Sequence, residues 1–218
     1  MSALDRRAAL KALTAAVAIV VGSPSLLVPE AVAASGEASW TVQTLEAFAD
    51  TLIPGERRFP GDSSIAGVVE GPGAVQAGAI QVLQSSKLPL SPLLPGIATL
   101  LNARATAYAA VRLIWLPVTR PAFVGLSFTH RTRLVSGLFD ASDVDRQIWQ
   151  VLSLLTGLAF DSASHVDTAE AVKQRHGGLA WTGFPPPGED GLWRFAQYSY
   201  GRPLADLHSQ TTASGSPA

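Results

Sequence analysis

The chain has 218 residues, 47% of them hydrophobic and only 15% charged, with a formal net charge of −1 and no cysteine. Without cysteine it can carry no disulfide, no thiolate-bound metal, no cysteine-ligated iron–sulfur cluster and no thioether-bound haem. The charged fraction falls well below the ~25% typical of soluble domains, and basic residues do not interleave with aromatics in the way that suits nucleic acid.

The first 33 residues have the layout of an export signal. Arg6 and Arg7 open it, with Leu10 and Lys11 at the offsets of a twin-arginine leader. An apolar run over 12–22 follows, and Ala31 and Ala33 stand at −3 and −1 of a cut after Ala33. An ordinary secretory leader with two adjacent arginines is the alternative. An uncleaved anchor would want about 20 strongly apolar residues, whereas alanine and glycine dilute this run and Pro24 and Pro29 interrupt it. Cleavage leaves one domain, 34–208, long enough for a real core, followed by a small, polar tail over 209–218 that is expected to be disordered.

Ser39 is a candidate N-cap for a first helix from Trp40 to about Ile53, with Trp40, Leu45, Phe48, Leu52 and Ile53 at helical spacing. Pro54 stops it, and Gly55 offers a left-handed turn. A loop rich in glycine, proline, aspartate and serine runs from Gly55 to Gly73. A second helix is expected over 72–86 and a third over 97–115, the latter with Val111 and Trp115 among its inward residues. A fourth is expected over 129–139. The fifth, capped by Ser142 with Asp143 and Asp145 at its positive end, runs to about Ser162. Its apolar stripe begins at Val144, and Trp149, Leu154 and Phe160 widen it so far that it reads as a core helix. A short helix over 167–175 follows. The class is therefore all-α, a compact bundle of five or six helices.

From His176 to Leu204 periodicity is lost, yet Trp181, Phe184, Trp193, Phe195, Tyr198 and Tyr200 fall here, six of the chain's sixteen aromatics. Disordered segments are poor in aromatics. The stretch is expected to be an ordered strap over the helices, or a docking surface for a partner.

No catalytic centre is visible in the sequence. Gly71-Pro72-Gly73 imitates a dinucleotide-binding turn but lacks the third glycine in place, loses an amide at Pro72, and is followed by no acidic residue before Asp140. His165, with Asp161, Ser162, Ser164 and Asp167 close in sequence, suggests a triad only superficially; helix capping explains these residues better. His176 suits a helix C-terminus, where a cation is favoured. Charge is unevenly spread: Gly71 to Phe139 holds six basic residues and no acidic one. Pairing of that stretch with the acidic flanks is the favoured reading, and a cationic face for a partner protein is the other.

The phrase Ala49-Asp50-Thr51-Leu52-Ile53-Pro54-Gly55 resembles the opening motif of the gluconate 2-dehydrogenase subunit 3 family. Pro60-Gly61, Pro72-Gly73-Ala74 and Ala77-Gly78 are similar to that family's next features, and Trp181-Thr182-Gly183-Phe184-Pro185 to its closing Gly-aromatic-Pro motif. Pro185-Pro186-Pro187 and the aromatic strap depart from it, as in a divergent branch. The resemblance implies a small accessory subunit, holding no cofactor itself, of an exported dehydrogenase of the glucose–methanol–choline type. The large partner subunit would carry the flavin (FAD) and the chemistry, and a cytochrome subunit often takes the electrons. The twin-arginine leader would then export the folded partner too. A stand-alone exported enzyme and an exported helical module that binds an apolar ligand are the alternatives.

Overall fold

Helix α1, Ser35–Leu52, is the element around which the others pack. In the computed structural model, which describes residues 35–189, it meets α2 (Ala79–Leu83), α3 (Leu94–Val111), α4 (Ala122–Gly125), α5 (Phe128–Leu138) and α6 (Arg146–Ser162). Leu45, Ala47, Phe48 and Ala49 are fully buried as a result, and so are Thr44 and Asp50. A helix enclosed on so many sides cannot show a simple one-faced pattern, which is why α6 rather than α1 reads as the core helix from sequence. Phe48 and Trp149 of α6 form the aromatic centre, their rings 6.1 Å apart. Truncating either would open a cavity costing about 3–5 kcal/mol.

The described residues contain helices and no strand, so the all-α class holds. All six expected helices are present among them. Two short ones, α4 and α8 (Gly177–Trp181), are additions, and α7 (Thr168–Lys173) is capped by Asp167. A 3-10 turn, Ser91–Leu93, leads into α3. Among the described residues, those through Phe184 belong to one compact unit and those from Pro185 to another. No helix among the described residues is long and apolar enough to cross a membrane.

Several boundaries differ from the sequence expectation for identifiable reasons. Helix α1 starts at Ser35, so Ser39 lies inside it and accepts from Gln43 instead of capping. The second helix shrinks to Ala79–Leu83 because Gly78 takes φ 84, which interrupts helical hydrogen bonding. The third ends at Val111, leaving Val111 and Trp115 exposed rather than inward. Helix α6 begins at Arg146, not after Ser142, which places Val144 outside it and exposed. Leu154 is half exposed, so α6 buries a stripe and keeps a solvent side. Asp143 and Asp145 serve Arg104 of α3, at 3.4 and 2.8 Å, instead of capping α6 through their side chains. That is the one direct salt bridge between the cationic middle and an acidic flank among the described residues.

Candidate functional site

The motif at the end of α1 folds into a closed polar knot. Asp50 is buried, and its two carboxylate oxygens accept from the amides of Gly55 (3.1 Å) and Ala66 (2.8 Å). It thus ties the end of α1 to the loop that follows. Burial pushes the Asp50 carboxyl above its ordinary value, against the two amides and the charge of Arg131, which favour ionisation. One turn earlier, Glu46 forms a two-pronged bridge with Arg58, 2.6 and 2.9 Å. Arg58 also holds Asp62 at 2.7 Å. These carboxylates hold Arg58 well above its usual range, Glu46 contributing most. Burial alone would raise the Asp62 carboxyl; Arg58 and the Ile65 amide outweigh it and set it below its usual value.

Arg131 on α5 closes the other side of the loop. It is 3% exposed, and every guanidinium nitrogen donates to a backbone carbonyl: Nε to Leu126, Nη1 to Ser64, and Nη2 to Ser63 and Val124. Desolvation lowers it to about 10, offset in part by Asp50. Sequence reasoning missed this residue. Its neighbour Arg133 carries the same charge two positions on and is exposed.

Gly55 does not turn left-handed; its φ is not positive. A Cβ there would strike the Gly73 amide, and one at Gly73 would lie 2.6 Å from the Gly55 nitrogen. The glycines of the motif therefore allow two backbones to touch. The contact is fastened by Ala74 N–H to Ile53 O (3.0 Å) and Glu56 N–H to Gly71 O (2.8 Å). Gln76 completes it, accepting from the Gly73 amide and donating to the Glu56 carbonyl.

The histidines are structural in this arrangement. His176 is the N-cap of α8, not a C-terminal cation. Its Nε2–H donates to the Ala77 carbonyl (2.9 Å), which leaves Nδ1 to accept from the Leu179 amide. That assigns the neutral tautomer with the proton on Nε2. His165 stands 5.7 Å from His176, over the space a side chain at Gly78 would need. Burial is the main cause that lowers its pKa, and the neighbouring His176 imidazole acts in the same direction. Asp167 spends its carboxylate on the Ala169 and Glu170 amides, and Ser162 donates to Leu158 O, so the triad-like group is dispersed. His130 pairs with the Tyr108 hydroxyl at 3.1 Å. Among the described residues no group of three or more histidine, aspartate or glutamate side chains could hold a metal ion.

The closing motif of the resemblance packs beside its Pro72-Gly73-Ala74 feature. Trp181 lies across Gly71, where an added Cβ would collide with its ring, and Pro72 packs on Gly177. Trp181 is nevertheless 65% exposed, while Phe184 is half-buried against the small cluster of Ala163, Ala171 and Leu179. Next to Gly71 an open hollow is lined by Glu56, Arg57, Val68, Val69 and Glu70. Of the remaining expected residues, Arg6, Arg7, Leu10, Lys11, Ala31 and Ala33 of the leader lie outside the described residues. So do Trp193, Phe195, Tyr198 and Tyr200, and the tail over 209–218.

A second exposed feature was not foreseen. Helix α3 ends in a Schellman turn, with Ile114 N–H donating to Ala109 O and Leu113 N–H to Ala110 O. Leu113 occupies the left-handed position, φ 54, that glycine favours; α8 closes in the same way with Gly183, φ 68. A leucine in that conformation costs about 1–2 kcal/mol. Leu113→Gly is therefore expected to stabilise the domain by about 1 kcal/mol, less the added freedom of glycine when unfolded. Urea titration checks this, and an unchanged or lower midpoint would contradict it.

Together these features define a cysteine-free helical domain whose buried charges bind its own backbone and whose surface bears large apolar side chains. A model of a family of unknown function, DUF5987, matches residues 39–218, and the chain belongs to that family. No curated protein and no solved structure matches it.

Proposed function

We propose that the chain is a non-catalytic accessory subunit that binds, stabilises and co-exports a flavin-dependent dehydrogenase of the glucose–methanol–choline type. The observation that carries this reading is the junction of Gly71 with Trp181. The closing motif that resembles the gluconate 2-dehydrogenase subunit 3 family meets Gly71, beside the similar Pro72-Gly73-Ala74 and far away in sequence, on a surface headed by an exposed tryptophan. Aromatic anchors of that kind carry much of the energy of protein interfaces. The buried charges Asp50, Asp62 and Arg131 are spent on holding loops, and beside Trp181 the exposed Val68 and Val69 add apolar contact area. FAD would belong to the partner, with a cytochrome subunit as a further member of the complex.

The test has two arms. Changing Arg6-Arg7 to Lys-Lys should strand both this chain and its flavoprotein on the inner side of the membrane. Trp181→Asp should leave this chain exported but reduce the flavin absorbance that co-purifies with it by at least about tenfold, in line with loss of an interface hot spot. Normal export of the flavoprotein in the first case, with full flavin recovery in the second, would refute the proposal.

A further inference from the structure

The turn after α3 presents four apolar side chains that the helical unit does not use. Val111, Leu113, Trp115 and Val118 are each between 80% and 94% exposed. Between them Ile114 and Leu116 pack against the core, and Pro117 lies on Gly125, so the loop is pinned from beneath. Exposure so high means that each outer side chain projects by itself instead of sharing a flat patch. Leu113 projects from a backbone position where glycine would be unstrained, and it gains no buried contact in return. The charges beside these residues in the chain have one sign, and Asp62, which shares a hollow with Arg120, is buried and bridged to Arg58. Arg112 and Arg120 are exposed and unpaired with any carboxylate among the described residues. The Arg112 guanidinium is held 3.9 Å over the Tyr108 ring, beside the apolar tip. No acidic residue occurs from Gly71 to Phe139 to oppose an anionic surface.

The geometry points to a membrane-docking loop, in which Leu113, Trp115 and Val118 enter the interfacial layer of an anionic bilayer while Arg112 and Arg120 meet lipid phosphates. Acyl chains are fluid and close around separate projecting side chains, whereas a rigid protein partner would need a cavity matched to each. Tryptophan settles at headgroup level, and each arginine near an anionic surface strengthens binding about fivefold. This docking involves none of the residues of the Trp181 surface and stands independently of it.

The protein, with the N-terminus it carries when purified from its own cells, would be mixed with two kinds of vesicle. One is phosphatidylcholine alone, the other an equal mixture with phosphatidylglycerol. Sedimentation with the anionic vesicles and little with the neutral ones is expected. Leu113→Asp with Trp115→Asp should weaken binding by at least about tenfold, and Arg112→Gln with Arg120→Gln by about 25-fold. All four positions are exposed, so circular dichroism should be unchanged in both variants. Brominated acyl chains should quench tryptophan fluorescence, and less so in Trp115→Phe. No binding to anionic vesicles would overturn the inference, as would equal binding by the double aspartate variant. So would a self-associated wild type that the aspartate variant returns to monomer, since the loop would then be a contact between copies.

Discussion

Asp50→Ala is expected to remove about 3–5 kcal/mol of stability, the range for breaking a buried, paired charge. The substitution leaves the Gly55 and Ala66 amides without their acceptor inside the protein and deprives buried Arg131 of the negative charge that most offsets its desolvation. The two unsatisfied donors, at about 1–3 kcal/mol each, account for much of that loss. Such a loss takes much of the 5–15 kcal/mol by which domains are stable, so the variant should be largely unfolded on modest warming. Asp50→Asn keeps the shape and one accepting oxygen, and should lose less. Arg131→Met should be comparably destabilising, because four backbone carbonyls then lose their donors. The double variant Asp50→Asn/Arg131→Met should lose less than the sum of its parts, since both act on one loop. Chemical denaturation monitored by circular dichroism measures all four. A loss below about 1 kcal/mol for Asp50→Ala would show that the knot is not what ties α1 to its loop.

Gly73→Ala is the second large effect expected, about 3 kcal/mol, at the upper end of overpacking costs. The new Cβ would meet backbone, 2.6 Å from Gly55 N and 2.7 Å from both Ile53 O and Pro54 C. Backbone cannot rotate aside as a side chain can, and here three hydrogen bonds from Ala74, Glu56 and Gln76 fix the two segments together. Gly157→Ala is the matched control. It lies inside α6 with nothing near its added methyl, so it should gain about 1 kcal/mol from helix propensity. If both glycine variants shift the denaturation midpoint alike, close approach is not the reason for Gly73.

The meaning of the Ala-Asp-Thr-Leu-Ile-Pro-Gly phrase changes accordingly. As sequence it is a helix end followed by a turn. In the fold Asp50 and Gly55 are partners: the carboxylate accepts from the glycine amide, and the glycine's missing side chain admits Gly73. The phrase therefore specifies the attachment of a loop 18 residues further on as well as the stop of a helix. Stability experiments on these positions report on folding, whereas Trp181 and the Val111–Val118 loop can be altered with the knot intact.

Helical class, the arrest of α1 before Pro54 and the capping of α7 by Asp167 were legible in the sequence, because each depends on residues within one or two turns of chain. Periodicity, a missing amide and a carboxylate at an N-cap act locally. The end of α3 was not legible: Leu113 has no glycine signal, and the turn forms through hydrogen bonds that any sequence can supply. Nor was the role of Arg131, since one-dimensional patterns place arginine at the surface and its four acceptors come from 63–64 and 124–126. The same holds for the meeting of Gly71 with Trp181. By itself the sequence determined which segments coil and where they stop. Only tertiary packing decided which charges are buried and which apolar side chains remain outside, because burial is set by neighbours distant in the chain.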